Sequence, residues 1–205
     1  RNVRGNLTRI AASNGIVAEN VLEGSHKHGI EIECDTNDTA FVPKGGVTNV
    51  TIRNNQIIRP GLNYFAGDNP AGVRVHHRTR EGVPNNGHPN RDIVIEGNEI
   101  ERGAYVGIEV EHADSVEIAN NVMRDLNRLE YPYGEYGVVL DDVTTGSVVG
   151  NSLVGSKSRL KQFGLQWEST AITTSNNQLH LDGKSVSARV IKLVPIEFRF
   201  DTTVT

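Results

Sequence analysis

Apolar and polar residues alternate in short runs along most of the chain, without a window of 12 or more residues that keeps clean helical spacing. Side chains alternate between two faces along a β-strand, so this pattern predicts short strands with one buried face. One run recurs, with two alternating apolar positions, an Asn, and an apolar residue two places later. Its copies lie at residues 15–22, 50–57, 93–100, 116–123, 146–153 and 172–179.

The Asn of this run returns at intervals of 35, 43, 23, 30 and 26 residues. Its six positions are Asn20, Asn55, Asn98, Asn121, Asn151 and Asn177. Asn tolerates the left-handed turn conformation, and stacked amides form ladders along an axis. We therefore interpret these residues as architectural.

A second run, of the form Gly-apolar-x-apolar-x, alternates with the first. Its copies begin at Gly29, Gly72, Gly107, Gly137 and, more weakly, Gly164. Two short strands and a turn Asn per repeat describe one coil of a parallel β-helix, in which stacked coils share a continuous core. The sequence predicts an all-β, right-handed parallel β-helix of about six coils, with loop insertions; the handedness follows the crossover rule.

A β-sandwich is the rival fold, because it too has short strands at regular spacing. It would need hairpin turns and gives no reason for one Asn to recur. The composition fits either all-β fold: 24 Val and 15 Ile exceed 12 Leu, and 21 Gly and 20 Asn suit tight turns.

The charge balance argues against two classes of partner. A net charge of -4 lacks the basic excess of a nucleic-acid-binding or polybasic membrane surface, and no apolar run approaches the length of a membrane span. With the lone Cys34, no disulfide or Cys-x-x-Cys site is expected.

Residues 1–205 are expected to form a single domain, with coils over about 15–180 and a C-terminal capping strand region over 181–205. Leu181 to Lys184 is typical of a hairpin turn. Solenoids need caps, and the N-terminal residues show no obvious one. This predicts a processed chain or a fragment of a longer solenoid, with further coils or subunits at that end.

Over about residues 15–180 these repeats resemble the right-handed parallel β-helix superfamily, the pectate-lyase-like fold. Many of its members act on polysaccharides in a groove along one sheet, whereas others are structural or adhesion proteins. Of the polygalacturonase motifs, only Asp141-Asp142 has a counterpart here. The resemblance implies a polysaccharide or oligosaccharide partner and an extracellular or periplasmic location.

The residues between the inward positions of the second run point outward and form two columns along the sheet. One column is Glu31, Arg74, Glu109, Val139 and Gln166, and the other is Glu33, His76, Glu111, Asp141 and Glu168. Alternating charges would form a solvated stabilising ladder. Glu111, Asp141 and Glu168, however, stack like charges, which favours a functional groove.

Three chemistries fit such a groove. Glu111 and Asp141, or Glu109 and Glu111, have the spacing of glycosidase carboxylate pairs, one acting as acid and one as base or nucleophile. A second possibility is a Ca²⁺-assisted uronate lyase, with the ion on Glu109, Glu111, Asp141 and Asp142 and with Arg74, Arg78 or His76 taking the proton. The third is binding without catalysis. Apart from Ca²⁺, no cofactor or metal ligand is predicted.

The sequence therefore predicts a polysaccharide-processing hydrolase or lyase; the alternative is a non-catalytic module for glycan binding, adhesion or assembly. The predicted catalytic residues are Glu111, Asp141, Glu109, His76 and Arg74. The predicted substrate-binding residues are Arg78, His77, His112, Asp142, Glu168, Tyr131 and Tyr133, the tyrosines because a loop aromatic can lie against a sugar face. His26 and His28 are interpreted as solvated loop histidines.

Overall fold

The computed structural model describes residues 7–35, 46–62, 70–78, 90–130 and 134–193. Over these ranges the chain winds into stacked coils of a parallel β-helix, and the coils contribute strands to three faces, which we call the first, second and third sheets; the first two are continuous through one long strand. This confirms the all-β solenoid that the repeats predict. No helix that could span a bilayer occurs in these ranges.

The first sheet contains the Gly-apolar-x-apolar-x runs, and its strands pair in parallel from coil to coil. Its strands are β1 (Thr8–Ile10), β4 (Ile30–Asp35), β7 (Ala71–Arg78), the first part of β10 (Val106–Ala119), β12 (Tyr136–Val143), β15 (Gln162–Trp167) and β19 (Val190–Leu193).

The second and third sheets contain the two halves of the Asn-bearing run. The second sheet contains β2 (Gly15–Ala18), β5 (Thr48–Arg53), β8 (Asn90–Glu96), the last part of β10, β13 (Thr145–Val149) and β16 (Ala171–Ser175). The third contains β3 (Val21–Glu23), β6 (Gln56–Ile58), β9 (Glu99–Glu101), β11 (Val122–Arg124), β14 (Ser152–Gly155), β17 (Gln178–Leu181) and β18 (Lys184–Val186).

The corner between the second and third sheets has the same form in all six coils: two residues separate the strands. The first has a left-handed backbone, with φ between 52° and 68°, at Glu19, Asn54, Gly97, Asn120, Gly150 and Asn176. The second is the repeated Asn. Its side-chain amide donates to the Oδ1 of the Asn in the next coil, over 2.9–3.1 Å. The predicted amide ladder is confirmed.

Inward-pointing aliphatic side chains fill the interior in columns that follow the ladder. Ile52, Ile95 and Ile118 are aligned on the second sheet, and Ile100 and Met123 are aligned on the third. All five are fully buried, and burying a side chain of this size contributes roughly 1.5–3 kcal/mol. Each coil therefore depends on its neighbours for its core.

The glycines that begin the first-sheet runs lie where the backbone passes close to the next coil. A Cβ on Gly107 would lie 2.5 Å from Met123 Sδ and 2.9 Å from the carbonyl oxygen of Gly137. Neither distance is compatible with a real Cβ contact, so a side chain at Gly107 would push the coils apart.

The hairpin predicted at Leu181 to Lys184 is confirmed, because β17 and β18 pair antiparallel and Asp182 and Gly183 both have positive φ. After it, β19 returns to the first sheet and pairs in parallel with β15. Residues 194–205 of the predicted cap lie outside the described ranges.

Candidate functional site

The outward positions of the first sheet form two columns, as strand alternation predicts. In coil order the first column is Arg9, Glu31, Arg74, Glu109, Val139 and Leu165. The second is Glu33, His76, Glu111, Asp141 and Trp167. The parallel register thus brings together all five residues predicted to be catalytic.

The last coil differs from the predicted columns by one residue. Asp141 pairs with Trp167 rather than with Glu168. Gln166 correspondingly points inward and is buried. The outward positions predicted for Gln166 and Glu168 are therefore wrong. The physical reason is a shift in register. Gly164 pairs with Val138, the residue after Gly137, so each residue of the Gly164 run lies one position away from the place that the repeat predicts.

The charged part of the two columns is buried, which the interpretation as a solvated ladder does not predict. Glu33, His76 and Glu109 are only 3–4% exposed, and Glu31 is 5% exposed. A buried charge is costly unless it is paired and hydrogen-bonded. The pairing around these groups therefore decides their protonation.

Arg74 is the cation that links the two columns. Its Nε lies 3.2 Å from Glu109 Oε2, and its Nη2 donates to both oxygens of Glu111 over 3.2 and 3.3 Å. Burial lowers the pKa of Arg74, but Glu109 and Glu111 outweigh burial and raise it above its ordinary value. One guanidinium therefore contacts two carboxyl groups, and its single positive charge can neutralise only one negative charge.

Glu109 is the more buried of these two carboxyl groups. Burial raises its pKa to about 8, and the negative charge of Glu111 adds to this, while Arg74 acts in the opposite direction. Glu109 therefore holds a proton near neutral pH. Glu111, whose side chain is 22% exposed, keeps the Arg74 ion pair.

Asp141 lies directly beside Glu111 on the next coil. Partial burial raises the pKa of Asp141, and the neighbouring Glu111 raises it further, while His112 lowers it. The like-charge contact predicted between Glu111 and Asp141 is therefore present, and the protonation of Asp141 responds to it.

These three carboxyl groups line a cleft of ≈ 240 Å³. Its lining is completed by two aromatic and two aliphatic side chains, so that the full set is Tyr105, Glu109, Glu111, Val139, Asp141, Leu165 and Trp167. Trp167 is 41% exposed. The lining combines a protonated acid, two further carboxyl groups and a flat aromatic surface.

A larger hollow of ≈ 400 Å³ lies on the second sheet, around Ser115, Val116 and Thr145. The charged residues in its lining are Asp92 and Glu117. It contains none of the paired ionisable groups of the first sheet, so we consider the cleft the better candidate for chemistry.

The predicted binding residues next to the cleft form a pair of their own. His112 and Asp142 follow Glu111 and Asp141 on adjacent strands, and both have a left-handed backbone, with φ of 51° and 50°. His112 Nδ1 lies 2.9 Å from Asp142 Oδ2. The turn thus directs the two side chains towards each other rather than continuing the alternation of the strand.

The five other predicted binding residues have different outcomes. His77 is buried and, by alternation on β7, shares a face with Val75, so it does not line the cleft. The backbone of Arg78 ends β7, and the structure does not describe its side chain. Tyr131 and Tyr133 lie outside the described ranges. Glu168 follows β15 as an exposed residue.

A second group of ligand-type side chains lies at the other end of the columns. Oxygens of Glu31 and Glu33 and a ring nitrogen of His76 lie within 4.8 Å of one another, and all three residues are buried. Burial raises the pKa of Glu31, but contact with His76 and the nearby charges of His28 and Arg74 outweigh burial and lower it to about 2.

His28 is not the solvated loop histidine that the sequence predicts; His26 beside it is half-buried. His28 is 1% exposed, and its Nδ1 accepts a hydrogen bond of 3.0 Å from the backbone N–H of Ala71. Its Nε2 lies 3.3 Å from Arg74 Nη1 and 3.6 Å from Glu31 Oε1. His28 thus belongs to the buried network of the first sheet.

The four oxygen ligands suggested for Ca²⁺ are not gathered around one point. Glu109 and Glu111 face Arg74, and Asp142 faces His112. Within the described ranges, the group whose donor atoms converge contains Glu31, Glu33 and His76 instead.

Residues 2–179 match the family described as "Right handed beta helix region". The chain belongs to this family. Among solved structures, this right-handed β-helix is similar to the Azotobacter vinelandii mannuronan C-5 epimerase AlgE6 A-module, at 13% identity and a TM-score of 0.39. The match covers 95% of this chain, which spans 58% of the length of that module. No curated protein sequence matches the chain.

Sequence reasoning missed two aromatic residues of this β-helix's cleft. Trp167 is the single Trp of the chain and directly precedes Glu168, so the error of one residue in the last coil concealed it. Tyr105 comes just before the Gly107 run, on the corner that leads into β10. The signal that could have found Tyr105 is an aromatic residue at the start of a charged strand.

Proposed function

We propose that this right-handed β-helix binds a polysaccharide in the cleft of the first sheet and hydrolyses a glycosidic bond there. The observation that carries the proposal is the pairing of a buried, proton-bearing Glu109 with ionisable Glu111 and Asp141 in one aromatic-sided cleft. Glycoside hydrolysis needs two carboxyl groups that differ in protonation, because one must donate a proton while the other acts as a base or nucleophile.

The roles follow from the surroundings of each carboxyl group. Glu109 is the general acid, since burial keeps it protonated near neutral pH. Asp141 is the second carboxylate, and Glu111, fixed by Arg74, provides negative charge for a developing oxocarbenium ion. Arg74 is a positioning residue in this scheme.

The register also suggests a stereochemical outcome. Glu109 pairs with Val139, so Asp141 is its diagonal neighbour, two residues further along the adjacent strand. Strands lie about 4.8 Å apart and rise about 3.3 Å per residue, so the Cα atoms of these two residues are roughly 8 Å apart. Inverting glycosidases hold their carboxyl groups about 6.5–9.5 Å apart, with a water molecule between them. Carboxyl groups that keep the separation of their Cα atoms would fall in that range, which favours inversion at the anomeric carbon.

The charge of the cleft favours hydrolysis of a neutral glycan over a lyase reaction on a uronate. Its described lining contains three carboxyl groups and no basic side chain, and Arg74 is already paired with two of them. A lyase substrate carries a carboxylate that needs a cation beside it. The cleft would repel such a substrate unless a cation accompanied it.

Trp167 provides a surface against which a sugar ring can stack. It is exposed at the side of the cleft, on the strand next to Asp141. A flat aromatic ring beside polar groups is a common way to bind the apolar face of a sugar.

The test is incubation with a panel of neutral and uronate polysaccharides, with two readings. New reducing ends without ultraviolet absorbance of unsaturated uronate support hydrolysis, and both signals together would make the protein a lyase. Asp141→Asn and Glu109→Gln should each remove activity, while Glu117→Gln, an exposed change on the second sheet, should keep it. Anomeric proton spectra of the first products distinguish inversion from retention.

One observation favours a second candidate, a glycan-binding module without catalysis. The buried network of Arg74 with Glu109 and Glu111 would also hold the first sheet together as a purely structural device. Binding to a glycan in the panel without new reducing ends would support this candidate. We propose an extracellular or periplasmic location for either activity, which fractionation of the source cells would test.

A further inference from the structure

We propose that Glu31, Glu33 and His76 form a site for a divalent transition-metal ion, with Zn²⁺ as the best-fitting ion. The three side chains come from adjacent strands β4 and β7, and each is at most 5% exposed. This proposal does not depend on the cleft having catalytic activity.

The position of His76 Nε2 is the first observation that points to a bound cation. The atom is buried and has no hydrogen-bond partner among the described residues. It faces two carboxylate oxygens, Glu31 Oε1 at 3.4 Å and Glu33 Oε1 at 3.6 Å. A deprotonated Nε2 would place its lone pair opposite two negative oxygens. A positive centre among the three atoms removes that conflict.

The distances fit a metal ion better than a hydrogen bond. N–H···O hydrogen bonds cluster near about 2.9–3.0 Å. Zn²⁺ binds nitrogen and oxygen ligands at about 2.0–2.2 Å, so neighbouring ligand atoms of a tetrahedral site are roughly 3.3–3.4 Å apart. The two separations from His76 Nε2 are close to that value, and all three donor atoms fall within 4.8 Å.

Arg9 contacts a different oxygen of each carboxylate from the one that faces His76. Its guanidinium contacts Glu33 Oε2, and its Nε lies 3.9 Å from Glu31 Oε2. Arg9 therefore holds the outer oxygen of each carboxylate, while the inner Oε1 atoms face His76. Outer partners that orient the ligands in this way are typical of metal sites.

The other nitrogen of His76, Nδ1, lies 3.9 Å from Glu111 Oε2, which is longer than a hydrogen bond. With the ion on Nε2, the ring proton is on Nδ1, on the side of this carboxylate. His28 is not part of this group, because its Nδ1 accepts the Ala71 amide and its Nε2 lies 3.3 Å from Arg74 Nη1.

The chemistry of the donor atoms decides which ion fits the site. The donor set of one imidazole and two carboxylates suits Zn²⁺, whereas Ca²⁺ prefers six to eight oxygens.

The test is Zn²⁺ titration of the untagged full chain against a chromophoric chelator. We expect one Zn²⁺ per chain, and Glu33→Gln and His76→Gln should each weaken binding more than the roughly 10- to 100-fold typical of outer-shell residues. His180→Gln, which replaces a half-buried histidine on the third sheet, is the matched control and should bind like the wild type. Circular dichroism of each variant checks that the fold is kept.

The absorption spectrum of bound Co²⁺ provides a second measurement, which reports the geometry of the site. Tetrahedral Co²⁺ absorbs visible light far more strongly than octahedral Co²⁺, so the wild type should develop the intense spectrum and His76→Gln should not. An excess of Ca²⁺ should leave it unchanged. Equal Zn²⁺ affinity in folded wild type and His76→Gln, or absence of one-to-one binding in the wild type, would overturn the proposal.

Discussion

Glu109 and Glu111 show how burial distributes a single proton between neighbouring carboxyl groups. Both approach Arg74, which can neutralise one negative charge. Glu109 is the more buried of the two, so burial opposes its negative charge and the proton remains on Glu109. Strand alternation predicts that both residues point outward, but it does not predict which of them is covered.

The raised pKa of Glu109 predicts how stability changes with pH. It is about 8 in the folded protein, against an ordinary value of 4.5, so the folded protein holds a proton that the unfolded chain releases between these values. The free energy of unfolding should therefore fall as pH rises from about 4.5 to 8, and Glu109→Gln should flatten that fall. Urea unfolding across this range provides the measurement.

A suitable control is Glu117→Gln, which removes an exposed carboxylate from the second sheet and should keep the wild-type slope. The same slope in Glu109→Gln and the wild type would show that Glu109 titrates normally.

Glu31 affects stability at acid pH. Its pKa of about 2 in the folded protein is below the ordinary value of 4.5, so the free energy of unfolding should fall as pH falls from 4.5 towards 2.

Trp167 is both a predicted sugar-stacking surface and the single Trp of the chain. Glycan binding should therefore change the intrinsic tryptophan fluorescence directly. Trp167→Phe should keep most of the affinity, whereas Trp167→Ala should lose about 2- to 13-fold, which corresponds to the roughly 0.5–1.5 kcal/mol of aromatic contacts. Isothermal titration calorimetry measures both variants.

Because Trp167 is 41% exposed, its replacement should hardly move the thermal midpoint. Unchanged glycan affinity in Trp167→Ala would show that Trp167 is not part of the binding surface.

Sequence reasoning could not assign Trp167 to the cleft, since strand alternation specifies the side of the sheet only after the register is known. In the last coil Gln166 pairs with inward-facing Leu140 and is buried, as is Phe163, so the register differs by one residue from the one that Gly164 predicts.

At the level of strands and corners, the Asn ladder should show a gradient of stability. Asn121 is fully buried and bonds with Asn98, Asn151 and the carbonyl oxygen of Ile95. Asn121→Ala would leave those groups without partners, at a cost of roughly 2–5 kcal/mol. Chemical unfolding of the purified variants gives the values.

Asn20, at the exposed end of the ladder, is the matched control, because water can replace its partners. Asn20→Ala should cost less than about 1 kcal/mol. Equal losses at Asn20 and Asn121 would contradict the gradient. The sequence predicts this corner well, since the Asn is both the repeat marker and the residue that makes the bonds.

Gly107 tests how closely successive coils approach each other. Gly107→Ala would place a Cβ 2.9 Å from the Gly137 carbonyl oxygen and should destabilise the protein by about 1–3 kcal/mol. Gly15→Ala, where a Cβ would meet nothing within 4 Å, should be close to neutral. Thermal midpoints for the two variants compare the sites, and equal midpoints would mean that the coils can separate without cost.

For the whole molecule, the fold could be predicted from the sequence because a solenoid repeats the same local solution. Val17, Ile52 and Ile95 occupy equivalent positions, so one correct alignment specifies many contacts. The site could be predicted only in outline. Burial of Glu33 and His76 depends on what surrounds the outward face, and the repeat contains no information about that surface.

The overall charge gives a prediction on ligand choice. The net charge of -4 and the carboxyl-lined cleft should make a uronate polymer bind more weakly than a neutral polymer of similar length. Raising the salt concentration should reduce this difference in affinity, because screening weakens the repulsion between the uronate polymer and the cleft. Affinity electrophoresis or calorimetry at two ionic strengths checks this; a difference that widens with salt would contradict it.

The constant two-residue corner at the Asn ladder has a consequence for how such a protein can change over time. The strand spacing along the axis is set at that corner, while connections elsewhere differ widely in length: one residue joins β12 to β13, and twelve separate β4 from β5. A mutation that lengthens one of those connections leaves the pitch of the coil unaltered. Natural selection, or a protein engineer, can therefore exchange the connections that follow the strands of the first sheet. Such exchanges can alter specificity while the stacked coils stay the same.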